Sequence, residues 1–179
     1  MTTKAADYIA VPRKVPRKAP GLAEALAYAF RADIDINERD GELVFKDPNK
    51  QLVDWLREAL ITHKEQIIWQ IGMGRKWTYI YNRMTDLRFK ESAFKGIDRE
   101  QSIARVAEYI ELFYADCDLP EGYTAIGDPF SWHALVDLRV EFAELTAPGK
   151  LYPIAADDPR ERGVNGALIE DEALYRGGR

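Results

Sequence analysis

The side chains that could carry out chemistry are few, and their spacing does not bring them together. His63 has only Lys64 and Glu65 beside it with any ligand character, whereas a zinc site needs three or four converging ligands. His133 follows Ser131 by two residues, and this spacing does not place two side chains on one face of a helix. We therefore expect no catalytic residue, no metal ligand and no cofactor.

Other groups with chemical potential have simpler structural explanations. Asp116-Cys117-Asp118 comes at the end of a predicted helix, where a packed thiol is expected. Glu108 and Glu111 lie three residues apart on that helix, but no Glu-x-x-His motif accompanies them as in carboxylate metal sites. Gly72-Met73-Gly74 precedes Arg-Lys-Trp, not the Lys-Ser or Lys-Thr of a phosphate-binding loop. An enzyme is therefore the least favoured class.

The composition is that of an ordinary globular protein. The 179 residues are 46% hydrophobic and 31% charged, with a net charge of −5. No stretch approaches the roughly 18 apolar residues of a membrane-spanning helix, and the first residues lack the apolar run of a secretory signal. Cys117 is the single cysteine, which fits a reducing compartment. We expect a cytoplasmic protein that does not bind membranes.

Residues 1–19 are predicted to be a flexible basic arm. The tetrapeptide Val-Pro-Arg-Lys occurs twice, at residues 11–14 and 15–18. Proline at every fourth position disfavours a helix and favours an extended, polyproline-like course. One interpretation is a solvated leader. The other is an electrostatic arm that becomes ordered on a partner.

Residues 20–72 predict a small helix–hairpin–helix–helix module. Apolar residues recur at helical spacing over about 21–31, and Asp40-Gly41 then joins two alternating segments as a tight hairpin turn. Asp47-Pro48 has the residue types of a helix start, and the capping box at Thr62 implies a break before a new helix. Gly72 and Gly74 are expected to end that helix. The apolar residues expected on the buried face of the hairpin are Ile34, Ile36, Leu43 and Phe45.

Residues 73–150 predict a helical unit. Its clearest amphipathic helix covers about 99–116, and a last long helix is expected from Asp128-Pro129 until Pro148-Gly149. Residues 151–179 are expected to be a mostly irregular tail, with one short helix at about 167–175. The predicted fold class is therefore α+β, predominantly helical.

Residues 75–97 are the part of this unit whose structure the pattern leaves open. Trp77, Tyr79 and Tyr81 alternate as in a short strand, whereas a helix over about 82–94 fits equally well. Interleaved basic and aromatic side chains suit a phosphate track with base-stacking platforms; alternatively, the rings are core and the charges are its rim. The candidate nucleic-acid-binding residues are Arg75, Lys76, Trp77, Tyr79, Tyr81 and Arg83, with Arg13, Lys14, Arg17 and Lys18 of the arm.

The order of elements in residues 20–72 resembles a known family. The residues that carry the resemblance are Ile34, Ile36, Gly41-Glu42-Leu43, Leu56-Arg57, His63-Lys64-Glu65 and Ile67-Ile68. They look like the N-terminal docking domains of tubulysin-type hybrid peptide synthetase–polyketide synthase subunits, whose closing helices carry a Leu-Arg-x-His-Lys-x-Glu-Leu-Leu-like run. In this sequence five residues separate Arg57 from His63, where the family has one.

The resemblance implies a small αββαα module, often homodimeric, that captures the terminal peptide of a partner along an exposed hairpin edge. Physically this is β-augmentation, in which backbone hydrogen bonds supply affinity and side chains supply selectivity. Because the hairpin is rich in acidic residues, its preferred peptide should be basic. The candidate partner-binding residues are Asp33, Asp35, Glu38, Asp40, Glu42 and Lys46.

The function we expect is that of a non-catalytic interaction or adaptor protein, which docks a partner protein or a second copy of itself on the hairpin. The basic arm from Arg13 to Lys18 would lie on such a hairpin, in cis or across a dimer. One alternative is a nucleic-acid-binding accessory factor that uses residues 75–90 and the arm. Another is a small acidic inhibitor of a nucleic-acid-handling machine.

Overall fold

The computed structural model describes residues 11–13, 20–118, 120–123 and 137–151. Within these residues it has five helices and one antiparallel hairpin, which confirms the predicted α+β, predominantly helical fold. The elements are α1 (Leu22–Arg31), β1 (Asp35–Arg39), β2 (Glu42–Lys46), α2 (Asp54–Thr62), α3 (Lys64–Asp86), α4 (Arg99–Asp116) and α5 (Leu138–Thr146).

The chain divides into two compact units. Unit 1 comprises the described residues up to Gly72 together with 120–123, and unit 2 comprises those from Met73 to Asp118 together with 137–151. The division falls inside α3. None of the helices in the described ranges is both long and apolar enough to cross a membrane.

The first helix buries one stripe and then turns the chain sharply into the hairpin. At its end the Asp33 N–H donates to Phe30 O (3.1 Å) and the Ile34 N–H donates to Ala29 O (2.9 Å). This pair of bonds satisfies the last carbonyls of the helix, with Asp33 at a φ of 58°. Asp33 therefore has a structural role in ending α1. The stripe that α1 buries consists of Leu22, Ala25, Leu26 and Ala29.

The hairpin forms where the sequence predicts it. Arg39 pairs with Glu42, so the connecting turn contains only Asp40 and Gly41. Both turn residues have a positive φ, 53° and 76°, as the two-residue turns that match strand twist require. Ile36 lies on the half-buried face of the hairpin together with Leu43 and Phe45, and Ile34 just before β1 is buried.

The predicted start of the second helix at Asp47-Pro48 is wrong, because α2 begins at Asp54. The Asp47 carboxylate does accept two backbone N–H groups, from Gln51 (2.9 Å) and Leu52 (2.8 Å), but it caps a turn. Lys50 within that turn has a φ of 53°, which no right-handed helix can contain. The predicted break at Thr62 is confirmed, since α2 ends there and α3 begins two residues later.

The prediction that Gly72 and Gly74 end the third helix is also wrong. α3 continues through both glycines to Asp86, so the segment that fitted either strand or helix is helical up to that residue. A helical glycine costs about 1 kcal/mol relative to alanine. Burial of Met73, Ile80 and Met84 along the continued helix outweighs that cost.

The fourth helix agrees with the sequence, and the fifth agrees only in part. α4 starts at the predicted cap, where Asp98 accepts from the Gln101 N–H (2.9 Å). α5 starts at Leu138 after an extended Asp137, so one continuous helix from Asp128-Pro129 is wrong. Residues 128–136 and the expected short helix at 167–175 lie outside the described residues.

A bidentate ion pair joins α4 to α5. The Arg139 guanidinium donates from Nε to Glu111 Oε1 (2.9 Å) and from Nη2 to Glu111 Oε2 (2.7 Å). The same guanidinium lies 4.0 Å from the centre of the Tyr114 ring. The Tyr114 hydroxyl donates in turn to Asp137, which caps α5 (3.2 Å).

Candidate docking site

The hairpin of unit 1 is a two-stranded sheet, to which no other described segment adds a third strand. Among the described residues, β1 and β2 hydrogen-bond only to each other. Because Arg39 and Glu42 close a two-residue turn, they form a hydrogen-bonded pair, and such pairs alternate along the ladder. The backbone groups of Ile36 and Glu38 therefore point outward from β1. Those of Leu43 and Phe45 point outward from β2.

The predicted acidic face of the hairpin is neutralised by its own surroundings. Asp35 pairs across the ladder with Lys46 (3.8 Å), and Asp40 pairs with Arg39 (3.7 Å). Glu42 accepts a 2.6 Å hydrogen bond from Lys64 of α3. These pairs are largely exposed and add little stability, but they leave this face without the acidic excess that predicted a basic peptide.

Glu38 and Asp33 serve the local fold. The Glu38 side chain is half-buried, and its Oε1 accepts from the Gly41 N–H (3.0 Å) across the turn. Asp33 ends α1, as described above. Of the six candidate partner-binding residues, these two are committed to turns, and the other four belong to the balanced ion pairs.

Val44 is the apolar centre of the outer face of the hairpin. Its side chain is 45% exposed and lies opposite Asn37 in the register. The outer face of the two strands comprises Asp35, Asn37, Arg39, Glu42, Val44 and Lys46. An exposed valine between two rows of paired charges is suited to cross-strand contact with a neighbouring strand.

The basic–aromatic segment lies on α3 and is partly core. Tyr79 is 2% exposed and Arg83 is 6% exposed. The Arg83 guanidinium donates to Ala93 O (2.6 Å) and pairs with Asp86 (3.2 Å). Its central carbon also lies over the Tyr79 ring, 5.2 Å from the ring centre, and over the Phe94 ring, 5.4 Å from the ring centre. Because both candidates are buried, neither can contact a nucleic acid at the surface.

The remaining residues of that segment do not form a continuous track. Trp77 and Tyr81 are one helical turn apart, stacked at 5.0 Å and half-buried. Lys76 pairs with Asp116 (2.7 Å), and Arg75 is exposed. In the arm, Arg13 belongs to unit 1, and Lys14, Arg17 and Lys18 lie outside the described residues.

The groups considered for catalysis do not converge either. Within the described ranges, no group of three or more His, Cys, Asp or Glu side chains is arranged so that it could hold a metal ion. His63 lines a cleft of about 500 Å³ at the junction of α2 and α3, with Lys64, Glu65 and Tyr123 among its neighbours. Burial, followed by the charges of the neighbouring Asp116 and Asp118 carboxylates, raises the pKa of the Cys117 thiol to about 11. Ser131 and His133 lie outside the described residues.

The sequence did not indicate one contact of the arm. Val11 is 4% exposed and belongs to the core of unit 1, and the Trp55 indole Nε1 donates to Pro12 O (2.8 Å). Arg13 and Asp54 line the same cleft, of about 480 Å³. The arm therefore packs on α2 at these residues, not on the hairpin. The apolar Val11-Pro12 pair was the one local feature that could have indicated this packing, but Trp55, which binds it, is 43 positions away in the sequence.

No protein-family model, no curated protein and no solved structure matches this chain. The resemblance to docking domains therefore depends on the residues quoted for it and on the order of elements.

Proposed function

We propose that unit 1 is a protein-docking module that adds an extended segment of a partner to its hairpin, with no catalytic step. The observation that supports this is a two-stranded hairpin whose strands pair only with each other within the described residues. Each strand directs backbone donors and acceptors outward, and an extended peptide satisfies such groups by β-augmentation.

The surface chemistry favours a peptide of mixed character. Asp35 pairs with Lys46 at one end of the ladder, and Glu42 pairs with Lys64 near the other. A strongly basic peptide would have to break these pairs. A peptide that places an apolar side chain beside Val44, with polar residues on either side of it, can bind to this face without breaking the ion pairs. Binding should therefore weaken little as salt is raised.

The same geometry favours docking over nucleic-acid binding. A phosphate track needs several exposed cations, and affinity then falls steeply with salt. Arg83 and Tyr79 are core residues, and Lys76 already has a carboxylate partner. Three of the six candidate nucleic-acid-binding residues on α3 are therefore already engaged within the protein.

The test compares one substitution at two sites of similar exposure. Val44→Lys puts a charge on the docking face, whereas Val140→Lys puts it on α5 of unit 2, where the valine is 57% exposed. Tagged protein would capture partners from nuclease-treated native extract. We expect the wild type and Val140→Lys to retain the same partner and Val44→Lys to lose it, with circular dichroism showing that all three are folded.

Amide hydrogen exchange then locates the contact. Addition of the captured partner should slow exchange at Leu43 and Phe45, because these amides point outward from β2, the strand that carries Val44. Capture that survives Val44→Lys, or that disappears on nuclease treatment, contradicts the proposal. If the wild type dimerises and Val44→Lys is monomeric, the docked segment is a second copy of the chain.

A further inference from the structure

A short stretch of the arm is bound by unit 1 as a ligand would be. Val11 is buried in the core that contains Leu26 and Leu56, although ten or more residues separate it from the nearest described helix. The carbonyl oxygen of the next residue, Pro12, accepts a 2.8 Å hydrogen bond from Trp55. One apolar side chain and one backbone carbonyl are thus held by groups distant in sequence.

The donor of that bond is fixed in place. Trp55 lies in the first turn of α2 and is 6% exposed. Its ring meets the Tyr28 ring of α1 edge to face, at 5.4 Å and 86°. An almost fully buried indole has little access to water, so its N–H depends on the peptide carbonyl for a partner. Beside the indole lies a cleft that Lys50, Val53, Asp54 and Trp55 line together with Arg13 of the arm; we use the name Trp55 groove for the surface that the first four of these residues form.

The sequence supplies a second peptide of the same chemistry. Val15-Pro16-Arg17 repeats the described residues Val11-Pro12-Arg13 in the same order, four positions later, and a lysine follows each copy. Six residues would connect Val15 to Leu22, and they can reach about 20 Å. Since Val11 and Leu22 share one core, that length suffices to bring the second valine to the same pocket.

We infer that the Trp55 groove is a binding site for a Val-Pro-Arg-Lys segment and that either of the chain's two copies can occupy it. The valine enters the core, the proline holds the backbone extended, and its carbonyl meets the indole N–H. The arginine then enters the cleft that Asp54 lines. This site is separate from the hairpin edge. The inference about it can therefore be confirmed or contradicted independently of the proposed docking of a partner strand.

The test uses the full chain with Val11→Ser, Val15→Ser and both together. The readout is the Trp55 indole ¹H–¹⁵N resonance, assigned with Trp55→Phe, together with the midpoint of thermal unfolding. If either copy can occupy the groove, each single substitution leaves both readouts close to the wild type. The double substitution then shifts the resonance and lowers the midpoint by more than the sum of the two.

Two results would overturn the inference. If Val11→Ser alone has the full effect of the double substitution, Val11 is a core residue and not one of two exchangeable ligands. If the double substitution changes neither readout, the groove does not depend on the valine. The indole resonances of Trp69 and Trp77 report whether the double variant is folded, so a general loss of structure is recognised.

A peptide experiment tests the same site in trans. The double variant is titrated with acetyl-Val-Pro-Arg-Lys-amide, to about 10 mM because a tethered copy acts at millimolar effective concentration. We expect the Trp55 resonance to return to its wild-type position, whereas acetyl-Ser-Pro-Arg-Lys-amide leaves it unchanged. If neither peptide moves the resonance, or if both move it equally, the groove is not a site for this tetrapeptide.

Discussion

The Arg83 guanidinium donates a 2.6 Å hydrogen bond to the carbonyl oxygen of Ala93, ten residues further along the chain. This contact ties the irregular segment after α3 back to the helix. The centre of the Phe94 ring lies 5.4 Å from the Arg83 guanidinium and 4.9 Å from a second guanidinium, that of Arg105. A residue whose type and position suggested a phosphate ligand is therefore a structural cation of unit 2.

Replacing Arg83 by methionine should destabilise the protein by about 2–3 kcal/mol. The methionine keeps the apolar volume but removes the hydrogen bonds that Arg83 donates to Ala93 O and to Asp86. Arg75→Met is the control, because that side chain is exposed on the same helix and should change stability by less than about 0.5 kcal/mol. Urea unfolding measures both. Equal effects of the two substitutions would show that the Arg83 contacts are not stabilising.

Glycine-to-alanine substitutions should have opposite signs at two positions. Gly41→Ala should destabilise by about 1–2 kcal/mol, because its φ of 76° is unfavourable for any residue with a Cβ. Gly72→Ala should stabilise by about 0.5–1 kcal/mol, since this glycine is inside α3 and a Cβ there meets no atom within 4 Å. Urea unfolding checks both signs. A loss of stability at Gly72→Ala would argue against a continuous α3.

The Glu111–Arg139 pair should make stability depend on pH. The hydrogen bond from Arg139 is the main cause that lowers the pKa of Glu111 below its ordinary 4.5. A lowered folded-state pKa gives a contribution that is complete above the unfolded value and is lost as pH falls through the folded value. Glu111→Gln should therefore melt earlier than the wild type at pH 7, with a difference that shrinks below about pH 4.5.

Glu108→Gln is the matched control for that comparison. It removes an exposed carboxylate from the same helix, one turn earlier. Its melting difference from the wild type should not follow the Glu111→Gln pattern. Scanning calorimetry over pH 3–7 gives both curves, and a pH-independent difference for Glu111→Gln would contradict the assignment.

Cys117 should react slowly with alkylating reagents in the folded protein. Burial, followed by the Asp116 and Asp118 carboxylates, raises its pKa from 9.0 to about 11. At pH 8 the folded thiolate fraction is then about 100-fold below that of the unfolded chain. Iodoacetamide labelling with and without guanidinium measures the ratio. Asp118→Asn should increase the folded rate modestly, and a folded rate equal to the unfolded one would be inconsistent with a raised thiol pKa.

The sequence predicts a turn or a helix cap correctly where that feature depends only on neighbouring residues. The Asp40-Gly41 turn and the Asp98 cap each need only their immediate neighbours, and both are where the sequence places them. Asp47-Pro48 is also a true capping signal, but a left-handed Lys50 makes it cap a turn. Gly72 fails as a stop because burial further along α3 is stronger than its helix penalty.

The candidate site was less predictable than the fold, because some of its charged side chains pair with residues that are distant in the sequence. Lys64 neutralises Glu42 from 22 residues away, and no pattern within the hairpin announces that contact. The hydrogen bond between Trp55 and Pro12 joins positions that are further apart still. The alternation of Trp77 with Tyr79 fitted a strand. In α3, however, Tyr79 is buried in the core and Trp77 is only half-buried. Tertiary contacts decided each of these outcomes.

The hydrogen bond across the hairpin turn also affects how the protein ages. Asp40-Gly41 is the one Asp-Gly dipeptide in the chain, and such a dipeptide isomerises when the glycine nitrogen attacks the aspartate carboxyl carbon. The N–H of that nitrogen is bound by Glu38 Oε1 at 3.0 Å. As long as the turn is folded, the attacking atom is engaged elsewhere, so isoaspartate should accumulate at this position only in chains whose hairpin has opened.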